Sequence, residues 1–110
     1  MRQKLLNNGY LKFQAGKLNN ADTLYQKRIR VDDITRYFIN VYEYDFSQFR
    51  NYPKDQEPLR YSADATFYCD NDRTFEVKLS VESNDGIEYI ESFFASIYKK
   101  MECIPDRYNQ

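Results

Sequence analysis

Glu76-Val77-Lys78, with Asp64 and Asp70 on the segment before it, is the nearest this chain comes to a catalytic constellation. Restriction-type nucleases place a carboxylate and then a Glu-x-Lys triplet on adjacent strands, where they hold Mg²⁺ and polarise a water. Such a triplet arises readily in a chain that is 30% charged, and alternating charges are the ordinary state of a solvated strand face. The solvated face is therefore the preferred reading. Asp70-Asn71-Asp72 begins like a calcium loop, but that loop needs Gly at its sixth position, where this chain has Phe75. A hairpin turn is the better reading.

The rest of the catalytic inventory is sparse. Histidine is absent, which removes the usual general base and the usual nitrogen ligand for metals. Neither a Ser/His nor a Cys/His nucleophile pair can be built. Cys69 and Cys103 are too few for a thiolate zinc site, and Gly9, Gly16 and Gly86 are too isolated for a phosphate loop. The expectation is a protein that is not an enzyme and carries no cofactor or metal.

The elements that would position any site are clearest over residues 59–101. Leu59, Tyr61, Ala63, Ala65, Phe67 and Cys69 alternate with Arg60, Ser62, Asp64, Thr66, Tyr68 and Asp70. Phe75, Val77, Leu79 and Val81 alternate in the same way with Thr74, Glu76, Lys78, Ser80 and Glu82. Alternation of period two predicts half-buried strands, and 70–73 supplies the turn of an antiparallel hairpin with one wet face. Ile87, Ile90, Phe94, Ile97, Tyr98 and Met101 then recur at helical spacing. Asp85 is the expected N-cap with Glu88 completing a capping box, or Asn84 caps one residue earlier. Pro105 limits the helix. Its apolar stripe must cover the inward face of the hairpin, with Tyr89 and Phe93 on its flank.

Earlier in the chain, Asn8-Gly9 predicts a short hairpin and 14–23 a loop. Residues 24–31 read as a strand, ended by a turn at Asp32-Asp33. Residues 36–46 form the most strand-prone run, apolar on both sides. Tyr37, Ile39 and Val41 make one face; Phe38, Tyr42, Tyr44 and Phe46 make the other, interrupted by Asn40. A strand of this kind is central in a sheet or half covered by a partner. The polar stretch 47–58, with Pro53 and Pro58, is a loop long enough to be functional or mobile. The predicted architecture is a single α+β domain spanning 1–110. Its antiparallel sheet has four to six strands, as a meander or half-barrel, with one C-terminal helix packed on one face.

Bulk properties narrow the function. No apolar run is long enough for a membrane span and no secretory signal is recognisable, so a soluble cytoplasmic protein with reduced thiols is expected. Abundant Asn, Lys, Ile, Tyr and Phe are residues of A/T-rich codons. They point to an A/T-rich bacterium or its phages, and small size to a phage or mobile-element accessory protein. Charge is uneven: residues 1–54 carry +5 and residues 55–110 carry −6, within a net −1. Halves that fold against each other account for this most simply.

Eleven tyrosines and eight phenylalanines exceed what one small core needs. Tyrosine offers large area at low entropic cost and suits recognition surfaces. Three functions follow. The first is a protein-binding module, an inhibitor or adaptor of a host defence protein. It would use Tyr42, Tyr44, Phe49, Tyr52 and Tyr68, with Tyr89 and Tyr108 also exposed. An acidic face of Asp64, Asp70, Asp72, Glu76 and Glu82, diluted by Arg60, Arg73 and Lys78, would compete with phosphates for a partner's Arg and Lys. The second is single-stranded nucleic-acid binding through Lys27, Arg28, Arg30 and Arg36 beside Tyr10, Tyr25 and Tyr37. A pI near 5.5 disfavours it. The third is sequestration of a small ligand in a half-barrel mouth, a reading that a pocket lined by Tyr and Arg would strengthen. A homodimer through the second face of 36–46 is a further expectation.

Overall fold

The alternating segments pair into a strictly sequential antiparallel meander in the computed structural model, which describes residues 1–14, 20–69, 73–82 and 85–102. Its strands are β1 (Leu11–Gln14), β2 (Thr23–Val31), β3 (Ile34–Asp45), β4 (Leu59–Tyr68) and β5 (Thr74–Val81). Strand order in the sheet is the order in the chain. Two helices flank it, α1 (Arg2–Asn7) and α2 (Ile87–Glu102). The α+β class, the strand count and the C-terminal helix on one face agree with the expectation. No helix among the described residues is long and apolar enough to cross a membrane.

Period-two patterning explains which face is covered. Tyr25 of β2, Tyr37, Ile39 and Val41 of β3, Ala63, Ala65 and Phe67 of β4 and Leu79 of β5 point to one side and are buried. Ile87, Ile90 and Phe94 of α2 close over them, with Phe93, Ile97, Tyr98 and Met101 packed at the margin. Fully burying a side chain such as Ile90 or Phe94 contributes about 1.5–3 kcal/mol. Small Ala63 and Ala65 in mid-strand leave room for the helix to approach β4. Glu88 sits in the first helical turn, and Lys99 and Lys100 in the last, each favourable to the helix dipole.

The cap differs from the expected one. The Gly86 carbonyl accepts from Ile90 N–H, so Gly86 precedes the first helical residue. Asp85 turns backward instead, its Oδ2 accepting from Glu82 N–H at 2.8 Å. An Asp side chain can bond either way along its own chain, and here the strand exit wins. Asn84 and the turn 70–72 lie outside the described residues.

The N-terminus corrects a larger error. Residues Arg2–Asn7 are helical where a hairpin was expected. Gly9 has φ +87°, its N–H donates to Leu6 carbonyl, and Tyr10 N–H donates to Leu5 carbonyl. That double closure is a Schellman ending, with Leu5 and Tyr10 joined in the core as its apolar contact. Asn-Gly marks left-handed backbone, which a helix end and a hairpin both use. By contrast, Asp32 (φ 55°) and Asp33 (φ 62°) do form a two-residue hairpin turn between β2 and β3.

The loop after β3 is less open than its length suggests. A short 3-10 helix (Phe46–Gln48) starts it, with Asp45 Oδ1 accepting from Ser47 N–H. Phe46 stacks with Phe49 and Tyr52, and Phe46 N–H donates to Pro58 carbonyl, joining its ends. A loop packed on its own rings in this manner is an Ω-type loop.

Candidate functional site

The sheet face turned away from α2 carries the features that core-building does not consume. Strand register places Leu11 and Phe13 of β1, Leu24, Gln26 and Arg28 of β2, and Phe38, Asn40, Tyr42 and Tyr44 of β3 on that side. Ser62, Asp64, Thr66 and Tyr68 of β4 follow, then Thr74, Glu76, Lys78 and Ser80 of β5. No described helix packs there.

A polar row crosses the middle of this face. Gln26, Asn40, Asp64 and Lys78 lie side by side on four successive strands. Gln26 Nε2 donates to Asn40 Oδ1 at 2.9 Å, and Asn40 Nδ2 donates to Asp64 Oδ1 at 2.8 Å. Asn40 and Asp64 are buried, so these bonds repay a desolvation that would otherwise be costly. Tyr42 is buried diagonally beside Asp64. Burial first, and then the Asp64 carboxylate, push its hydroxyl well above the usual phenol range. The row fixes the register of strands whose alternatives would break it.

Aromatic and apolar groups frame the row. Leu11 is 65% exposed, Tyr68 45% and Phe13 44%. Arg28 holds its guanidinium 5.5 Å from the centre of the Phe38 ring, and Tyr68 meets the same ring edge-on at 5.8 Å. Tyr44 is half-buried, its hydroxyl 3.3 Å from Ser62 Oγ.

Several expected site residues fall elsewhere. Tyr42 and Asp64 are 5% exposed each and present little to a partner, contrary to the expectation of exposure. Phe49 is exposed, but on the loop 47–58, where Tyr52 is half-buried and donates from its hydroxyl to Glu57 carbonyl at 2.7 Å. Tyr89 is exposed on α2. Of the acidic face, the three described carboxylates do not converge. Asp64 is turned into the polar row, Glu76 stands opposite Thr66 next to Lys78, and Glu82 lines a cleft beyond the strand end. Asp70, Asp72 and Tyr108 lie outside the described residues.

The basic set is divided in the same way. Lys27 is on the core side, its Nζ 3.2 Å from Glu91 Oε1 and over the Tyr10 ring. Arg28 is on the open side. Arg30 donates to Asp33 carbonyl at the hairpin turn, and Arg36 sits where the β2–β3 register slips, its Nε buried. These four cations are thus spread over two faces and a turn.

The sequence also hid an ion pair with one buried partner. Glu43 of β3 is 1% exposed on the core side. Arg2 of α1 donates to it twice, Nε to Oε2 and Nη2 to Oε1, each at 2.8 Å, and Tyr61 hydroxyl donates at 2.8 Å. Burial and this bond to Glu43 push the Tyr61 hydroxyl upward. The signal was present: Glu43 continues the inward series Tyr37, Ile39, Val41. Its partner Arg2 lies ahead of the expected hairpin, in residues to which the sequence pattern assigns no element.

Near this pair, a cleft of about 450 Å³ opens between α1, the start of β4 and the approach to α2. Lys4, Arg60 and Tyr61 line it together with Glu57, Glu82 and Asp85. Charges of both signs line it, so it favours no single ligand charge. Among the described residues, no three Asp, Glu or Cys side chains converge as a metal would require.

No protein-family model, curated protein or solved structure matches this chain.

Proposed function

We propose that this protein is a non-catalytic binding module that engages a protein partner through the open face of its sheet. The carrying observation is that face itself: Leu11, Phe13 and Tyr68 stand well exposed around a bonded polar row, with no described element of the chain covering them. An exposed apolar and aromatic surface with a polar frame is the usual make-up of a recognition patch. The polar row holds that surface in one arrangement before a partner arrives, which lowers the ordering cost of association.

The face also suggests the partner's chemistry. Arg28, Arg60 and Lys78 are exposed on or beside it, whereas Asp64 is buried and hydrogen-bonded within the row and Glu76 is an exposed carboxylate on β5. A partner with an apolar patch rimmed by carboxylates fits better than a nucleic-acid-binding surface. An inhibitor or adaptor acting on a host defence protein in the cytoplasm, as phages and mobile elements encode, works by occupying such a patch. The half-buried thiol of Cys69 suits a reducing compartment.

The test compares the tagged wild type with a Phe13→Asp/Tyr68→Asp variant in affinity purification from a bacterial lysate, with and without nuclease. Both substituted side chains are exposed, so circular dichroism is expected to be unchanged. A stoichiometric protein that survives nuclease and is lost with the variant supports the proposal. Retention of that protein by the variant overturns the assignment to this face. Nucleic acid that co-purifies and washes off with salt moves the function to strand binding around Arg28, Phe38 and Tyr68.

A further inference from the structure

We infer that a second copy of this chain is the natural occupant of the β5 edge, and that two copies join into one ten-stranded sheet. Among the described residues β5 pairs with β4 alone, leaving its outer backbone groups over Thr74–Val81 without a strand neighbour. An edge of eight residues is long for one left open. Charges on an edge ordinarily repel a foreign strand, and Glu76 and Lys78 are both exposed there.

The spacing of those two charges selects this chain as its own partner. Consider antiparallel pairing about a two-fold axis at Val77. Glu76 then stands opposite Lys78 of the other copy, and Lys78 opposite Glu76, while Thr74 meets Ser80. On the core side Phe75 meets Leu79, and Val77 meets Val77. Phe75 is 38% exposed in the single chain, so the contact covers an apolar ring that the fold leaves in water. Shifting the register by two residues in one direction sets Glu76 against Glu76. Shifting it in the other sets Lys78 against Lys78. Each shift replaces two attractive cross-strand contacts by a repulsive one. The same two side chains thus reject other registers and accept one. Because the axis runs through the sheet, the interface is isologous and closes at two copies. Both open faces then lie on the same side, and of each only the β5 row joins the new contact.

Sedimentation over a range of protein concentrations, with charge variants, tests the inference. Wild-type protein is expected to show a monomer–dimer equilibrium. Glu76→Lys, whose side chain lies opposite uncharged Thr66 within the fold, is expected to weaken the dimer about tenfold, since both symmetric contacts become repulsive. Lys78→Glu is expected to do the same. An equimolar mixture of the two variants is expected to recover wild-type association, because each now complements the other. Lys78→Glu also faces Asp64 of its own sheet, so a second readout avoids it. In a Cys69→Ser/Cys103→Ser background, Val77→Cys is expected to cross-link to itself under mild oxidation and Phe75→Cys is not. Wild type that stays monomeric throughout overturns the inference. So does a Glu76→Lys protein that dimerises like wild type, or equal cross-linking at 75 and 77.

Discussion

Three donors reach the Glu43 carboxylate in the interior, and Arg2 supplies two of them. Removing one partner of a wholly buried pair costs roughly 3–5 kcal/mol. Half of the Arg2 side chain is in water, where screening weakens its contribution. Arg2→Ala is therefore expected to destabilise the protein by about 2 kcal/mol, read as a lower urea midpoint with unchanged slope. Arg2→Lys is expected to recover less than half of that, since a point ammonium cannot donate in parallel to both carboxylate oxygens. An unchanged midpoint for Arg2→Ala would mean that Tyr61 alone holds the carboxylate. At this scale the sequence was only partly legible. The inward position of Glu43 follows from counting along β3, and so does that of Asn40 among the rings of the opposite face. Neither count reveals a partner 41 or 24 residues away, because pairing across such separations depends on where the strands come to rest.

Elements that announce themselves by period match their patterns, whereas a single dipeptide decides less: Asp32-Asp33 makes the expected turn, and Asn8-Gly9 does not. β4, β5 and α2 bury the residues their patterns assign to the core, with Val77 and Val81 half-covered at the sheet edge and Phe75 left more open. Gly9 shows the other case. Its left-handed backbone closes α1, and a Cβ there would meet nothing within 4 Å. Gly9→Ala thus incurs backbone strain without a clash, and about 1 kcal/mol of stability is expected to be lost. Thermal melting checks the value. A neutral or stabilising substitution would show that residues 8–10 relax to another turn. The same reasoning explains why the cap of α2 was misplaced. Asp85 has two local donors within reach, and only the exit of β5 decides between them.

Across the whole molecule, tyrosine does more structural work than a surface role alone would ask. Burial is the first cause that raises the phenols of Tyr10, Tyr25, Tyr37, Tyr42 and Tyr61. Nearby Glu91, Glu43 and Asp64 carboxylates push several of them further. A raised folded value means that the folded state keeps protons the unfolded chain releases above about pH 10. Stability from this source is complete below that pH and falls as pH rises beyond it. The urea midpoint is expected to be flat in that respect up to about pH 10 and to drop steeply above it, with phenolate absorbance rising in step with unfolding. Eleven phenols titrating near pH 10 with circular dichroism unchanged would contradict this. The excess of rings noted in the sequence is thus shared between a tyrosine-rich core and the open face, a division that composition cannot make.

The order of the elements also has a consequence for synthesis. Every strand pairs with its neighbour in the chain, so the sheet can assemble as successive hairpins while the ribosome is still reading. The helix that covers the apolar side follows all five strands. The nascent chain must therefore carry a formed sheet with Ile39, Val41 and Phe67 uncovered until α2 has cleared the exit tunnel. That interval is when a chaperone would have its target and when aggregation would compete with folding.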